Sequence, residues 1–408
     1  MYIQSVTNRS SAVNALLVFV TLLPLYAGSY WYRTQHPYGS LSTPRTDHPS
    51  PSGFIRSWLD IHVVQPFNPS PIAAYCNRTE WHSNLVFDLD NANGGIGNVR
   101  GNILDFLLYA IEAGASIILP GMATRSQDNL ADVWASRAPF DLLFDEDWFL
   151  IALSQTCPQM AIYKPEKGQE MAKALPGNYW PRSRRVDLDG TNTKKAYREH
   201  LDEWLKSKAE FVPDNLTLVN VERTLWEVDT RSVPRGFRRN FGQLLRVNPT
   251  IRRLAAVIVQ NLVSRYLILR FDAGQAIPRR AFYGAHLRTE HDARVAGWLD
   301  APYANYSSQT RAYMNQALAN NLNVIYVASG NTTDLAAFKA KAAAHAPPLN
   351  VTSKMELLPP SDLHVLKQLS WDQQALVDYE VLQRSSVFSG LVKSSFSYNI
   401  AMTRNQWL

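Results

Sequence analysis

The sequence predicts an α/β protein whose two parallel-sheet halves face a cleft. Two observations carry that prediction: a strand, glycine loop, helix and strand in succession over residues 85–120, and a second alternation of strands and helices over residues 282–404. Parallel strands need crossovers of a dozen or more residues, and both stretches supply them.

Leu85 to Asp90 reads as a strand, and the run Asn93-Gly94-Gly95-Ile96-Gly97-Asn98 breaks it. Val99 to Ala113 then repeats apolar residues at helical spacing (Ile103, Phe106, Leu107, Ala110, Ile111). Gly114 stops that helix, and Ser116 to Pro120 is a short buried strand. Lys194–Phe211 and Pro249–Tyr266 are expected helices, the second with an apolar stripe through Ile251, Leu254, Ile258 and Leu262. The later pattern predicts strands at Phe282–Leu287, Val324–Ala328 and Val387–Gly390. Helices are expected at Gln309–Asn320, Asp372–Leu382 and Ser395–Arg404. Two Rossmann-like domains follow, 77–248 and 249–408, with ligands expected outside the carboxyl ends of their strands.

Upstream, residues 1–32 are read as a signal-anchor or transmembrane segment. The apolar run from Ala15 to Ala27, extended back to Ala12 and on through Tyr30, Trp31 and Tyr32, is about 20 residues, enough to cross a bilayer as a helix. A cleavable signal peptide ending near Ala27-Gly28-Ser29 is the alternative. Residues 33–76, rich in Pro and Ser, read as a stem, with Trp58 marking a part that packs onto the body. This predicts a single-pass protein of the Golgi or endoplasmic reticulum membrane with a luminal body. Sequons at Asn77, Asn215, Asn305, Asn331 and Asn350 make those five residues N-glycosylation candidates.

Lys plus Arg exceed Asp plus Glu by 41 to 35, a mild excess scattered in short clusters such as Arg182, Arg184 and Arg185. Nucleic-acid binders concentrate such charge on one face, so no nucleic-acid partner is expected. Two cysteines, Cys76 and Cys157, exclude a metal site built mainly of thiolates. They are a possible disulfide or two buried thiols.

Three segments carry chemistry. The glycine loop at residues 94–98 places backbone N–H groups at a helix N-terminus, as an anion seat or as a tight strand-to-helix turn with no ligand. Its spacing departs from the dinucleotide fingerprint, and Leu119-Pro120-Gly121 supplies no acid where one would be needed. His286-Leu287-Arg288 ends a strand with His286 and Arg288 on one side, where an arginine fork can grip phosphate or pair with Glu290 or Asp292. Ser394-Ser395-Phe396-Ser397 opens the last helix, as a phosphate seat or as plain N-caps.

In these places together the chain resembles the GDP-fucose protein O-fucosyltransferase superfamily. The resemblance lies in GGIGNVRGNILDFLLYAIEAGASIILPGM, in GAHLRTEHD and in DYEVLQRSSVFSGLVKSSFSYNIAMTR, and it spans about Phe87 to Arg404. It implies a GT-B type glycosyltransferase, with an acceptor-side N-terminal domain and a donor-side C-terminal domain. It further implies inverting, metal-independent transfer of fucose from GDP-fucose to a protein or glycan hydroxyl, without a cofactor. The alternative is a non-catalytic member of the fold that binds GDP-sugar or glycan in the secretory pathway. Carried over, Arg288 holds the donor's β-phosphate, and Asn98 lies near the reacting centre. Gly95, Gly97, His286, Asp292, Ser394, Ser395 and Phe396 complete the donor site, with Asp292 toward guanine or ribose. Some relatives carry a glutamate in the glycine loop as general base. None stands there in this chain, and Asp88, Asp90 and Asp105 are the nearest carboxylates.

Overall fold

The computed structural model of the chain describes residues 2–4, 51–60, 67–171, 174–181, 193–224, 234–268, 271–273 and 275–407. The strands are β1 (Tyr2–Gln4), β2 (Leu85–Asp88), β3 (Ser116–Ile118), β4 (Met122–Thr124), β5 (Ser136–Ala138) and β6 (Ile162–Tyr163). They continue with β7 (Thr217–Asn220), β8 (Tyr283–His286), β9 (Val324–Ala328), β10 (Asn350–Thr352) and β11 (Val387–Leu391). The principal helices are α1 (Pro51–Asp60), α2 (Ser70–Cys76), α3 (Ile96–Ala113), α4 (Glu146–Thr156) and α5 (Thr193–Lys206). After them come α6 (Pro249–Arg265), α7 (Tyr306–Ala319), α8 (Thr332–Ala343), α9 (Trp371–Gln383) and α10 (Ser395–Trp407).

Two parallel sheets form, in the order β6-β3-β2-β7 and, for the second, β11-β8-β9-β10. Every residue of β3, β8 and β9 is buried, as expected of parallel strands covered on both faces. Helix α3 starts three residues before the expected Val99, because Gly95 takes an extended conformation and acts as its N-cap. It ends at Gly114 in the left-handed region, as the sequence predicted. The antiparallel hairpin β4–β5 and the strands β6, β7 and β10 escaped the sequence reading. Most are only two or three residues long, too short to set a period.

The halves share a core. Helix α6 packs on α9 and on α1, while α10 crosses from the second sheet to pack on α3 of the first. Part of the expected stem is therefore body: Phe54 and Trp58 of α1 are buried, and Arg384 lies over the Trp58 ring at 4.3 Å. Helix α2 is tied to the end of α4 by a Cys76–Cys157 disulfide.

The expected membrane anchor needs correction. Among the described residues no helix is long and apolar enough to cross a membrane. The run Ala15–Ala27, the first part of the stem and the Arg182-Arg184-Arg185 cluster lie outside the described residues. Strand β1 pairs antiparallel with β11, setting Tyr2 opposite Leu391. The chain's first residues thus lie on the same body as the site, whereas an anchor spanning residues 12–32 would leave them on the other side of a bilayer. The single-pass reading is not supported by the described residues.

The five sequons differ in setting. Asn77, Asn215, Asn305 and Asn350 are exposed and Asn331 is half-buried; Asn305 and Asn331 are also N-caps of α7 and α8. The Nδ2 of Asn331 already donates to Thr289 and Asp334.

Candidate active site

In the second sheet the register sets His286 beside Gly390 on one side and Ala328 on the other. The segments that follow β8, β9 and β11 therefore leave the sheet at one level, and Arg288, Gly330 and Ser394–Phe396 converge. The glycine loop after β2 faces them from the first sheet. Between them lies a cavity of about 340 Å³. Gly95, Asn98, His286, Arg288, Ser394, Ser395 and Phe396 all line it.

The glycines of the loop serve close approach. Gly94 has a φ of +98°, a region side chains rarely adopt. A Cβ on Gly97 would lie 2.4 Å from the Ser395 carbonyl oxygen, so only glycine lets α3 meet the start of α10. Gly97 thus joins the two halves and does not line the cavity. Asn98 does, and its Oδ1 is buried without a hydrogen-bond partner.

Arg288 is buried and paired. Its Nη1 donates to Glu290 Oε2 and its Nη2 to Asp292 Oδ2, each at 2.6 Å, and the Trp298 ring lies 5.7 Å from its guanidinium carbon. The carboxylate pairing that the spacing allowed is realised, inside the cavity that Ser394 and Ser395 also line. Burial works against charge on all three groups. The carboxylates nevertheless raise the Arg288 pKa, and Arg288 holds Glu290 and Asp292 below their ordinary values. All three are ionised. Asp292 reaches the site through Arg288: its Oδ1 accepts from Ala293 N–H, and it does not line the cavity.

Burial pushes His286 down to about 4, and Arg288 adds to the effect while Glu290 opposes it. The imidazole is neutral, with Nδ1 2.7 Å from Ser397 Oγ and its ring centre 4.6 Å from that of Phe396.

The sequence reading missed several wall residues. Arg125, just after β4, comes from the first half. Lys354 donates to Asp378 Oδ2, and Tyr326 to Asp378 Oδ1, each at 2.6 Å. Asp372 accepts from the Arg125 N–H at 2.9 Å, and burial raises its pKa. Asp378 stood within the quoted closing motif without a role. Nothing in the sequence marks Arg125, because a hairpin folded across the cleft delivers it. Of the carboxylates nearest the glycine loop, Asp105 accepts from Thr224, Asp90 pairs with Arg137 at the surface, and Asp88 rises to about 6 through burial and Asp90. None of the three lines the cavity.

A family profile described as GDP-fucose protein O-fucosyltransferase matches residues 85–406. No curated protein matches in sequence. Among solved structures, POFUT1 in complex with GDP is similar at 12% identity over 80% of this chain and 96% of that one, with a TM-score of 0.48. The fucosyltransferase NodZ from Bradyrhizobium is similar at 13% identity over 77% and 90%, with a TM-score of 0.39. The assignment rests on the profile, whose span takes in both sheets and the whole cavity wall: the chain belongs to the GDP-fucose protein O-fucosyltransferase family and is a fucosyltransferase with GDP-fucose as donor.

Proposed function

We propose that the chain transfers fucose from GDP-fucose to a protein or glycan hydroxyl, by a single inverting displacement that needs no metal ion. The observation that carries this reading is the buried, ionised Arg288 in one cavity with Ser394, Ser395 and Phe396, opposite the glycine loop. As the bond between sugar and GDP breaks, negative charge grows on the β-phosphate. A guanidinium held beforehand in a water-poor cleft stabilises that charge without reorganising during the step. The hydroxyls of Ser394 and Ser395 and the N-terminus of α10 add hydrogen-bond donors to the same anion. Phe396 offers a ring to the nucleotide, backed by neutral His286. Asn98, with its unpartnered Oδ1, meets the acceptor hydroxyl as it attacks from the face opposite GDP. The N-terminal half (77–248) supplies the acceptor side and the C-terminal half (249–408) the donor side.

Titration calorimetry with GDP-fucose against UDP- and ADP-sugars, followed by a sugar-transfer assay, tests the reading. GDP selectivity is expected, with an affinity loss of about tenfold or more for Arg288→Ala. Equal binding of all three nucleotides would overturn it.

A further inference from the structure

Two guanidiniums from opposite halves of the molecule meet on one carboxylate oxygen. Asp292 Oδ2 lies 2.6 Å from Arg288 Nη2 and 3.3 Å from Arg125 Nη1. Arg288 follows β8 of the second sheet. Arg125 follows β4, which is bridged to Ala92 in the segment after β2. Its backbone is fixed from across the cleft, since its N–H donates to Asp372 Oδ2. Its Nη2 lies against the glycine loop, 3.6 Å from where a Cβ on Gly95 would stand. Its Nε is buried and has no hydrogen-bond partner. A largely covered guanidinium with a buried, unused Nε–H, on the wall of a cavity and beside an anionic oxygen, is an incomplete anion site.

The charges explain what completes it. Arg125 and Arg288 balance Glu290 and Asp292, so an entering diphosphate meets little net positive field unless one carboxylate gives way. Glu290 is anchored on its other oxygen by Gly330 N–H at 2.6 Å, from the turn after β9. The other oxygen of Asp292 is held by the amide of Ala293, the next residue, so the carboxylate turns with its own backbone. Asp292 is also the more exposed of the pair, at 15% against 7%.

We propose that Arg125 is a second donor-binding residue, closing on the diphosphate together with Arg288, and that Asp292 Oδ2 holds the place of a phosphate oxygen until the nucleotide arrives. The inference rests on the GDP-sugar reading of this cavity and adds to it a cation from the acceptor-side half. Nucleotide binding would then draw the two halves together through the phosphate itself.

The test titrates the full chain with GDP and, separately, with guanosine, which lacks the phosphates. Arg125→Met is expected to weaken GDP at least tenfold while guanosine affinity stays within twofold, and Arg125→Lys falls between. Asp292→Asn, which keeps the shape and removes the competing charge, is expected to tighten GDP several-fold. A Met variant that binds GDP as the wild type does, or that loses GDP and guanosine equally, overturns the role of Arg125. The second of these results is what a purely structural tie would give. Weaker GDP binding by Asp292→Asn overturns the placeholder. A wild-type chain that takes up neither molecule removes the donor reading, and this inference with it.

Discussion

Arg288 shows how a single residue is fixed by its neighbours. Its position was legible in the sequence, since an arginine one residue beyond a parallel strand has the cleft as its outlet, but its charge state depends on Glu290 and Asp292 folding against it. Replacing its planar fork by a point charge is informative: Arg288→Lys should weaken GDP about tenfold, read by calorimetry, because the bidentate geometry is lost. His286 yields a prediction in pH. Its folded pKa of about 4 lies below the ordinary 6.5. Between those values the unfolded chain holds the extra proton, so stability rises with pH. Asp88 acts in the opposite sense: its folded pKa of about 6 lies above 3.8, and there the folded chain holds the extra proton. Each shift corresponds to about 3 kcal/mol at full titration. Thermal unfolding followed from pH 4 to 6 should therefore climb more steeply with pH in Asp88→Asn and less steeply in His286→Gln. Identical slopes in all three proteins would contradict these assignments.

Elements were legible in proportion to their length. Helices α3, α6, α9 and α10 were found because each runs for thirteen or more residues and repeats its pattern over several turns. The hairpin β4–β5 has three residues per strand, and only pairing defines it. Helix α9 carries the wall residues Asp372 and Asp378, and a capping box sets its start, in which Ser370 accepts from Gln373 N–H and the Gln373 side chain accepts from Ser370 N–H. Ser370→Ala should lower stability by about 1 kcal/mol in chemical denaturation. Gly97→Ala should be costlier, by about 2 kcal/mol or more, since the new Cβ meets backbone and not a flexible side chain. It should weaken GDP binding as well, because α10 must shift away from α3 and takes Ser395 with it.

At the scale of the whole molecule, the stem's expected packing onto the body at Trp58 is seen, and it goes further than the sequence indicated. The stretch read as a stem contributes α1, whose Trp58 is buried under Arg384, and α2, which the Cys76–Cys157 disulfide fastens to the end of α4. That bond closes a long segment, at a sequence separation of 81. Replacing both cysteines with serine should cost roughly 2–4 kcal/mol of stability, seen as a lower Tm that no longer responds to reductant. The sequence by itself determined the two α/β halves, the order of the three motifs and the outlet for Arg288, because periodicity and strand-end chemistry are local properties of a chain. Only the tertiary structure decided that the first residues lie along β11, that Asp292 faces Arg288 rather than the cavity, and that Arg125 enters from the opposite half. Those facts depend on which surfaces pack across hundreds of residues, and packing at such separation leaves no period in the sequence.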